Sequence, residues 1–303
     1  MAASASARSQ SPPVQVEAIG GVVVEVHDLA ATRHFYSRVL ADVPGDWEGD
    51  ARSITFVAAS QRITFVAKAR PQTLGDAGRH FGYSVKGARL STLADELKAA
   101  GHEVNWWRED HPEEKRISPY LRDPSGNLLQ LVPADRCDAP IHHVTLVVHD
   151  LELGEFFYAD ALGGEVDYYH SWRTEDLLEA KVWMDGDDPC APWTRAARYG
   201  RLNHQVSARP IPQIFVRYGE SLLGLVVGSR HIQEPAEGVL KGTPRVILRT
   251  RQPAGEVGSQ LAAANVSTGL VPHNIAGVQS RRERGTLFTR DRSGNFLELE
   301  CAD

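Results

Sequence analysis

Apolar and polar positions recur along this chain in a pattern that comes round more than once. From Val144 to Val148 the run is β-branched and apolar, as in a strand covered on both faces. Asp150 then stands at an N-cap position, with Leu153, Phe156, Phe157 and Leu162 following at roughly helical spacing. The segment Ile141-His142-His143-Val144-Thr145-Leu146-Val147-Val148-His149-Asp150-Leu151 has an earlier near copy, Ile19-Gly20-Gly21-Val22-Val23-Val24-Glu25-Val26-His27-Asp28-Leu29. Phe35-Tyr36 and Leu40 stand where Phe157-Tyr158 and Leu162 stand, and the offset is 122 residues throughout. This is an internal repeat. Its informative difference is that His143 faces Gly21 in the alignment of the two copies.

The pattern predicts a strand over 17–27 and a helix over 29–40, then short strands at Ser53–Ala58 and Arg62–Ala67. A second unit opens at His80, continues with a helix over Leu90–Ala100 that Gly101 stops, and closes after Asp123-Pro124-Ser125-Gly126-Asn127. That pentad reads as a tight turn feeding a last strand over 128–132, with Gly126 supplying a positive φ. Residues 133–139 form a short polar linker. The third unit starts at Ile141 and ends in a hairpin, Gln213–Tyr218 and Ser221–Val227, after a long insertion over about Trp172 to Ile211. An insertion of that length inside a compact unit is usually functional or mobile. The fourth unit has a strand over Pro244–Thr250, a helix over Gly255–Ala264 and the ending Asp291-Arg292-Ser293-Gly294-Asn295 followed by Phe296–Glu300. Glu298 stands there where Gln130 stood.

Composition narrows the function classes. The 303 residues suffice for two domains with full cores, and 42% of them are apolar with no run of membrane-spanning length. A net charge of −6 with both signs interleaved argues against nucleic-acid and anionic-membrane partners. Cys137, Cys190 and Cys301 are scattered without metal-ligand spacing and fit a reducing compartment. Residues 1–16 read as a flexible tail without a secretion signal, so a cytoplasmic protein is expected.

The four strand–helix–strand–strand–strand modules, their His-Asp-Leu and Phe-Tyr starts and their Asp-x-Ser-Gly-Asn ends resemble the vicinal oxygen chelate superfamily. That group includes glyoxalases, bleomycin-resistance proteins, methylmalonyl-CoA epimerases and extradiol dioxygenases. The resemblance spans about residues 17–301. It implies an α+β fold of four βαβββ modules forming two half-open barrel domains, 17–134 and 140–303. It further implies that the first domain is a scaffold and that the second holds the site.

In that family, metal ligands come from opening and closing strands. On that basis His143 and Glu298 are expected to hold one divalent metal, with His204 as third ligand or acid–base group. Gln205, His170 and His231 stand behind His204. Phe288, Tyr169 and Arg282 are the candidate substrate-binding residues. An imidazole pair with one carboxylate would suit Fe(II) and dioxygen; Mn, Zn or Ni would suit non-redox chemistry. Two departures bear on this choice. Pro244–Leu248 contains no histidine where extradiol enzymes place one, and Phe288 stands where they usually place a tyrosine, ten residues before Glu298.

The expected function is a metal-dependent enzyme that chelates vicinal oxygens of a small substrate. Ring cleavage of a catechol-like aromatic with O2 comes first. A glyoxalase-like isomerase, epimerase or lyase and a metal-free binding protein are the alternatives. A homo-oligomer is expected. By strand alternation, His142 should face away from His143. One further arrangement stays open: were the second and third modules to pair, His80, Gln130 and His143 would meet and Glu298 would lose its partner.

Overall fold

A computed structural model describes residues 14–73, 80–106, 118–148, 150–170, 213–227, 245–266, 268–269 and 285–302. The first module runs β1 (Val16–Val26), α1 (Leu29–Val39), β2 (Gly45–Gly49), β3 (Ser53–Ala58) and β4 (Arg62–Ala67). The second runs β5 (His80–Lys86), α2 (Gly87–Ala99), β6 (Val104–Trp106), β7 (Pro119–Arg122) and β8 (Leu128–Ala134). The third contains β9 (Ile141–Val148), α3 (Leu151–Glu155), β10 (Glu165–His170), β11 (Gln213–Tyr218) and β12 (Ser221–Val227). The fourth contains β13 (Arg245–Pro253), α4 (Ala254–Ala263), β14 (Thr268–Gly269), β15 (Thr286–Arg290) and β16 (Phe296–Ala302).

Local chemistry sets these elements. Asp28 accepts from the amides of Ala30 and Ala31 and starts α1; Asp150 accepts from the Leu153 amide and starts α3. The helix after Asp150 departs from plain α geometry, since Phe156–Ala161 continue it as a π-helical turn. Gly101, at φ +88°, closes the end of α2, and Gly126 and Gly294, at +91° and +85°, make the two Asp-x-Ser-Gly-Asn turns. The edge strand β2 was not legible in the pattern, because Gly45–Gly49 is mostly exposed and carries no apolar alternation.

The sheets do not follow the expected domain halves. One eight-stranded sheet has the order β14-β15-β16-β13-β1-β4-β3-β2, and the other β10-β11-β12-β9-β5-β8-β7-β6. The first module therefore merges with the fourth, through antiparallel β1 and β13, and the second with the third, through β5 and β9. Residues 17–134 and 140–303 each contribute to both sheets. On each sheet one face packs under the helices: Val22, Val24, Ile63, Val246 and Leu299 in the first, Val144, Phe81, Leu129 and Leu223 in the second. The opposite face of each is the one expected to line the half-open barrel, or cup.

Consecutive modules are joined by the repeated motifs. Tyr36 of α1 donates to Asp123 (3.3 Å), and Tyr158, in the π-helical turn, donates to Asp291 (3.0 Å). Asp123 Oδ1 accepts from the Ser125 and Asn127 amides, and Asp291 Oδ1 from those of Ser293 and Asn295. The Asn127 side chain donates to the Glu25 carbonyl and that of Asn295 to the Val147 carbonyl. Each Asp-x-Ser-Gly-Asn turn thus grips the opening strand and helix of the preceding module. Among the described residues no helix is long and apolar enough to cross a membrane.

Candidate functional site

The two cups occupy matching places and differ in chemistry. In the second sheet Gly82 lies between His143 on β9 and Gln130 on β8, and Gln130 lies opposite Tyr120 on β7. His80 lies opposite Thr145, two residues along on the same face. In the first sheet Gly21 takes the place of His143, Arg245 that of His80, Glu298 that of Gln130 and Phe288 that of Tyr120.

The expected pairing of His143 with Glu298 does not form, because the two side chains belong to different sheets. Glu298 is consumed by cations. Arg245 Nε donates to its Oε2 at 2.7 Å and Arg62 Nη2 to its Oε1 at 3.3 Å, with Arg62 also bridging Glu300 at 2.5 Å. The side chains of Arg245 and Glu298 are 1% and 5% exposed, so neither charge is stabilised by water and each needs the other. Burial lowers the Arg245 guanidinium from its usual range, and Glu298 opposes that shift. Nor does this cup have space for the missing imidazole: a Cβ on Gly21 would collide with the Arg62 carbonyl. Phe288 is buried beside Glu298 and stacks on Phe296 at 5.6 Å, away from the histidines.

The second cup gathers imidazoles. His80 Nε2 and His143 Nε2 are 3.0 Å apart, and both residues are buried. Thr145 Oγ1 lies 3.4 Å from His80 Nε2, and the Tyr120 ring meets the His80 ring edge-on at 5.2 Å. Gln130 donates to Ser118 Oγ at 2.6 Å. The His143 ring lies across Gly82, where any Cβ would strike Cε1 and Nδ1. Desolvation, followed by the neighbouring His80 and His142, holds His143 well below the usual histidine range, so it is a neutral donor at neutral pH.

His142 overturns the alternation argument. Gly82 pairs with His143 but Tyr83 pairs with Ile141, so His142 is the extra residue of a β-bulge. The bulge turns both rings together, with Nδ1 to Nδ1 at 3.0 Å. The first sheet has the same irregularity between Ile19 and Gly21.

These donors admit a divalent ion. Two nitrogens each about 2.1 Å from one ion stand roughly 3.0–3.4 Å apart for right-angle to tetrahedral geometry, and the His80–His143 separation fits. Among the described residues no group of three or more His, Cys, Asp or Glu side chains could hold a metal, so these supply a pair and no complete cage. His204, Gln205, His231 and Arg282 lie outside the described residues, and for Tyr169 and His170 only the β10 backbone is described, opposite Ile214 and Gln213. Tyr120 was missed by sequence reasoning, although a signal existed: it precedes Gln130 by the ten residues that separate Phe288 from Glu298.

Residues 18–131 match the model of the Glyoxalase/Bleomycin resistance protein/Dioxygenase superfamily. A solved structure of a putative dioxygenase from Bacillus subtilis subsp. subtilis str. 168 is similar over 95% of this chain and 86% of its own, with a TM-score of 0.61 and 13% identity. Glyoxalase I from Zea mays is similar over 95% of this chain and 92% of its own, with a TM-score of 0.58 and 15% identity. At those identities the two structures define the fold alone. The first two modules therefore match the family model, and the fold of all four modules is shared with the two solved structures.

Proposed function

We propose that the chain is a metal-dependent enzyme whose site is the histidine-lined cup between the second and third modules. The observation that carries this reading is the 3.0 Å separation of His80 Nε2 and His143 Nε2, two imidazole nitrogens on neighbouring strands. His80 and His143 would hold the ion, with the Gln130 carboxamide turning from Ser118 as a weaker third donor. His204 is retained from the sequence as candidate ligand or acid–base group. A divalent ion bound there supplies Lewis acidity to two adjacent oxygens of a small substrate and makes a neighbouring C–H more acidic. The described donors carry no negative charge, so the ion's charge is left for the substrate's own oxygens, which favours an acidic substrate such as an enediol, a hydroxy-ketone or a catechol. Burial raises the Tyr120 phenol well above its usual range, so it stays protonated and suits a hydrogen-bond donor to a substrate oxygen.

With Glu298 tied to Arg245 and Arg62, the described residues of this cup supply no carboxylate for a two-His-one-carboxylate face. That favours isomerase, epimerase or lyase chemistry with Zn, Ni or Mn. Ring cleavage with Fe(II) and O2 stands as the second reading, favoured by one observation: His80 supplies the second strand-borne imidazole absent from Pro244–Leu248. Metal analysis tests the site. Wild type and Glu298→Gln should bind Mn(II) or Co(II) stoichiometrically, and His80→Ala and His143→Ala should lose it. Metal retained in both histidine variants would overturn the assignment. Wild-type protein that takes up no metal yet binds aromatic ligands tightly would support a metal-free binding protein instead. Oxygen uptake by Fe(II)-loaded protein on a catechol panel would select the second reading, and no uptake the first.

A further inference from the structure

We infer that His142 is a positioning residue, which fixes the proton of His143 on Nδ1 and so leaves Nε2 as a lone pair facing the cup. The inference rests on the reading of His80 and His143 as ligands and extends it to a residue with no place in that ligand set.

The geometry defines the pairing. A ring nitrogen that accepts cannot also donate, so of two Nδ1 atoms 3.0 Å apart one carries the hydrogen. For His143 Nε2 to act as a donor to an ion, its own Nδ1 must carry the proton and give it to His142 Nδ1. His142 must then be protonated on Nε2 alone. Metal-bound histidines are generally held this way by a partner on the second nitrogen, often a carboxylate or a carbonyl. Here the partner is the adjacent residue, and two features of the chain make that possible. The β-bulge at His142 turns its ring to the side of the sheet that His143 occupies. Gly82, lacking a Cβ, lets the His143 ring lie flat across β5 with Nε2 toward His80. The first sheet repeats the bulge with Gly20 and Gly21 in these positions, so the loss of the ligand there goes with the loss of its partner.

The test uses full-length protein labelled with 15N-histidine and freed of metal, in which two-bond 1H–15N correlations report each tautomer. Wild type should show His143 protonated on Nδ1 and His142 on Nε2. His142→Leu removes the acceptor and should shift His143 toward the Nε2–H form. It should also raise the Co(II) dissociation constant by about 10–100-fold, the usual effect of removing such a partner. His142→Asn, whose Oδ1 stands near the place of Nδ1, should restore both readouts. A wild-type His143 protonated on Nε2, or an unchanged Co(II) affinity in His142→Leu, would overturn the inference. Failure of the underlying ligand assignment looks different: wild type would bind Co(II) no better than a His80→Ala, His143→Ala double variant. The metal-free tautomer would then still decide what His142 does.

Discussion

Two cup-facing glycines, Gly82 on β5 and Gly21 at the place His143 holds in the other sheet, show how a single missing Cβ can serve opposite ends. At Gly82 the space is taken by the ring of His143; at Gly21 it is taken by the backbone of β4 at Arg62. Gly82→Ala should therefore displace His143 and weaken Mn(II) or Co(II) binding at least as much as loss of a supporting hydrogen bond, about 10-fold or more. Retained affinity in a folded Gly82→Ala protein would show that the ring position has no bearing on the site. The buried acid of the other cup gives a contrasting prediction. Glu298→Ala removes the buried carboxylate that pairs with both Arg245 and Arg62 and should cost about 3–5 kcal/mol of stability in denaturant unfolding. Metal content per folded molecule should not change. A cost within about 0.5 kcal/mol, the range of an ordinary surface substitution, would contradict the network seen around Glu298.

At the level of elements, the motifs most visible in the sequence are the ones that lock modules together. Asp123 and Asp291 sit buried under Tyr36 and Tyr158, and desolvation raises both carboxyls above their usual range, with the Asn127 and Asn295 hydrogen bonds opposing the shift. The sign of the resulting pH dependence follows. The unfolded chain releases these protons near the ordinary carboxyl value, about pH 4, before the folded chain does. Stability from these two groups is therefore greatest below that value, falls as pH rises through the folded values, and is level above them. In chemical denaturation, the stability of wild type minus that of an Asp123→Asn, Asp291→Asn variant should fall with rising pH across this window. The slope should not exceed about 1.4 kcal/mol per pH unit for each carboxyl. A difference that grows with pH would mean that the hydrogen bonds outweigh burial.

The same elements show what the sequence could and could not convey. Boundaries such as Ser53–Ala58, Arg62–Ala67 and Ser221–Val227 were legible because alternation, apolar runs and turn residues are local signals. The family resemblance was legible because the helix starts and the Asp-x-Ser-Gly-Asn turns recur at fixed spacing. Those motifs report contacts between consecutive modules, through Tyr36–Asp123 and Tyr158–Asp291. They say nothing of which opening strands join edge to edge. Val22–Val26 of β1 would suit β5 or β13 as a neighbour equally well, since all three are apolar toward the helices. The site depended on that choice. His143 was identified by its contrast with Gly21, but its partner was assigned along the chain to Glu298, whereas the sheets bring it to His80. His142 was misread because a β-bulge breaks strict alternation and leaves no mark in the sequence itself.

Taken whole, the molecule is two cups built from one repeated module. One cup holds imidazole nitrogens and a carboxamide; the other holds arginine and glutamate at the positions of His80 and Gln130. The second and fourth modules thus differ at three cup-facing positions, His80 against Arg245, Gln130 against Glu298 and Tyr120 against Phe288, and the first and third at Gly21 against His143, while the residues beneath the helices are apolar in both sheets. The account predicts one functional centre per chain, in the second sheet. Diffraction from crystals grown with Mn(II) or Co(II), recorded for anomalous scattering, examines that prediction most directly. A single peak within coordination reach of His80 Nε2 and His143 Nε2, with Glu298 still held by Arg245 and Arg62, is the expected result. A peak at Glu298, or an ion bound away from both histidines, would contradict it.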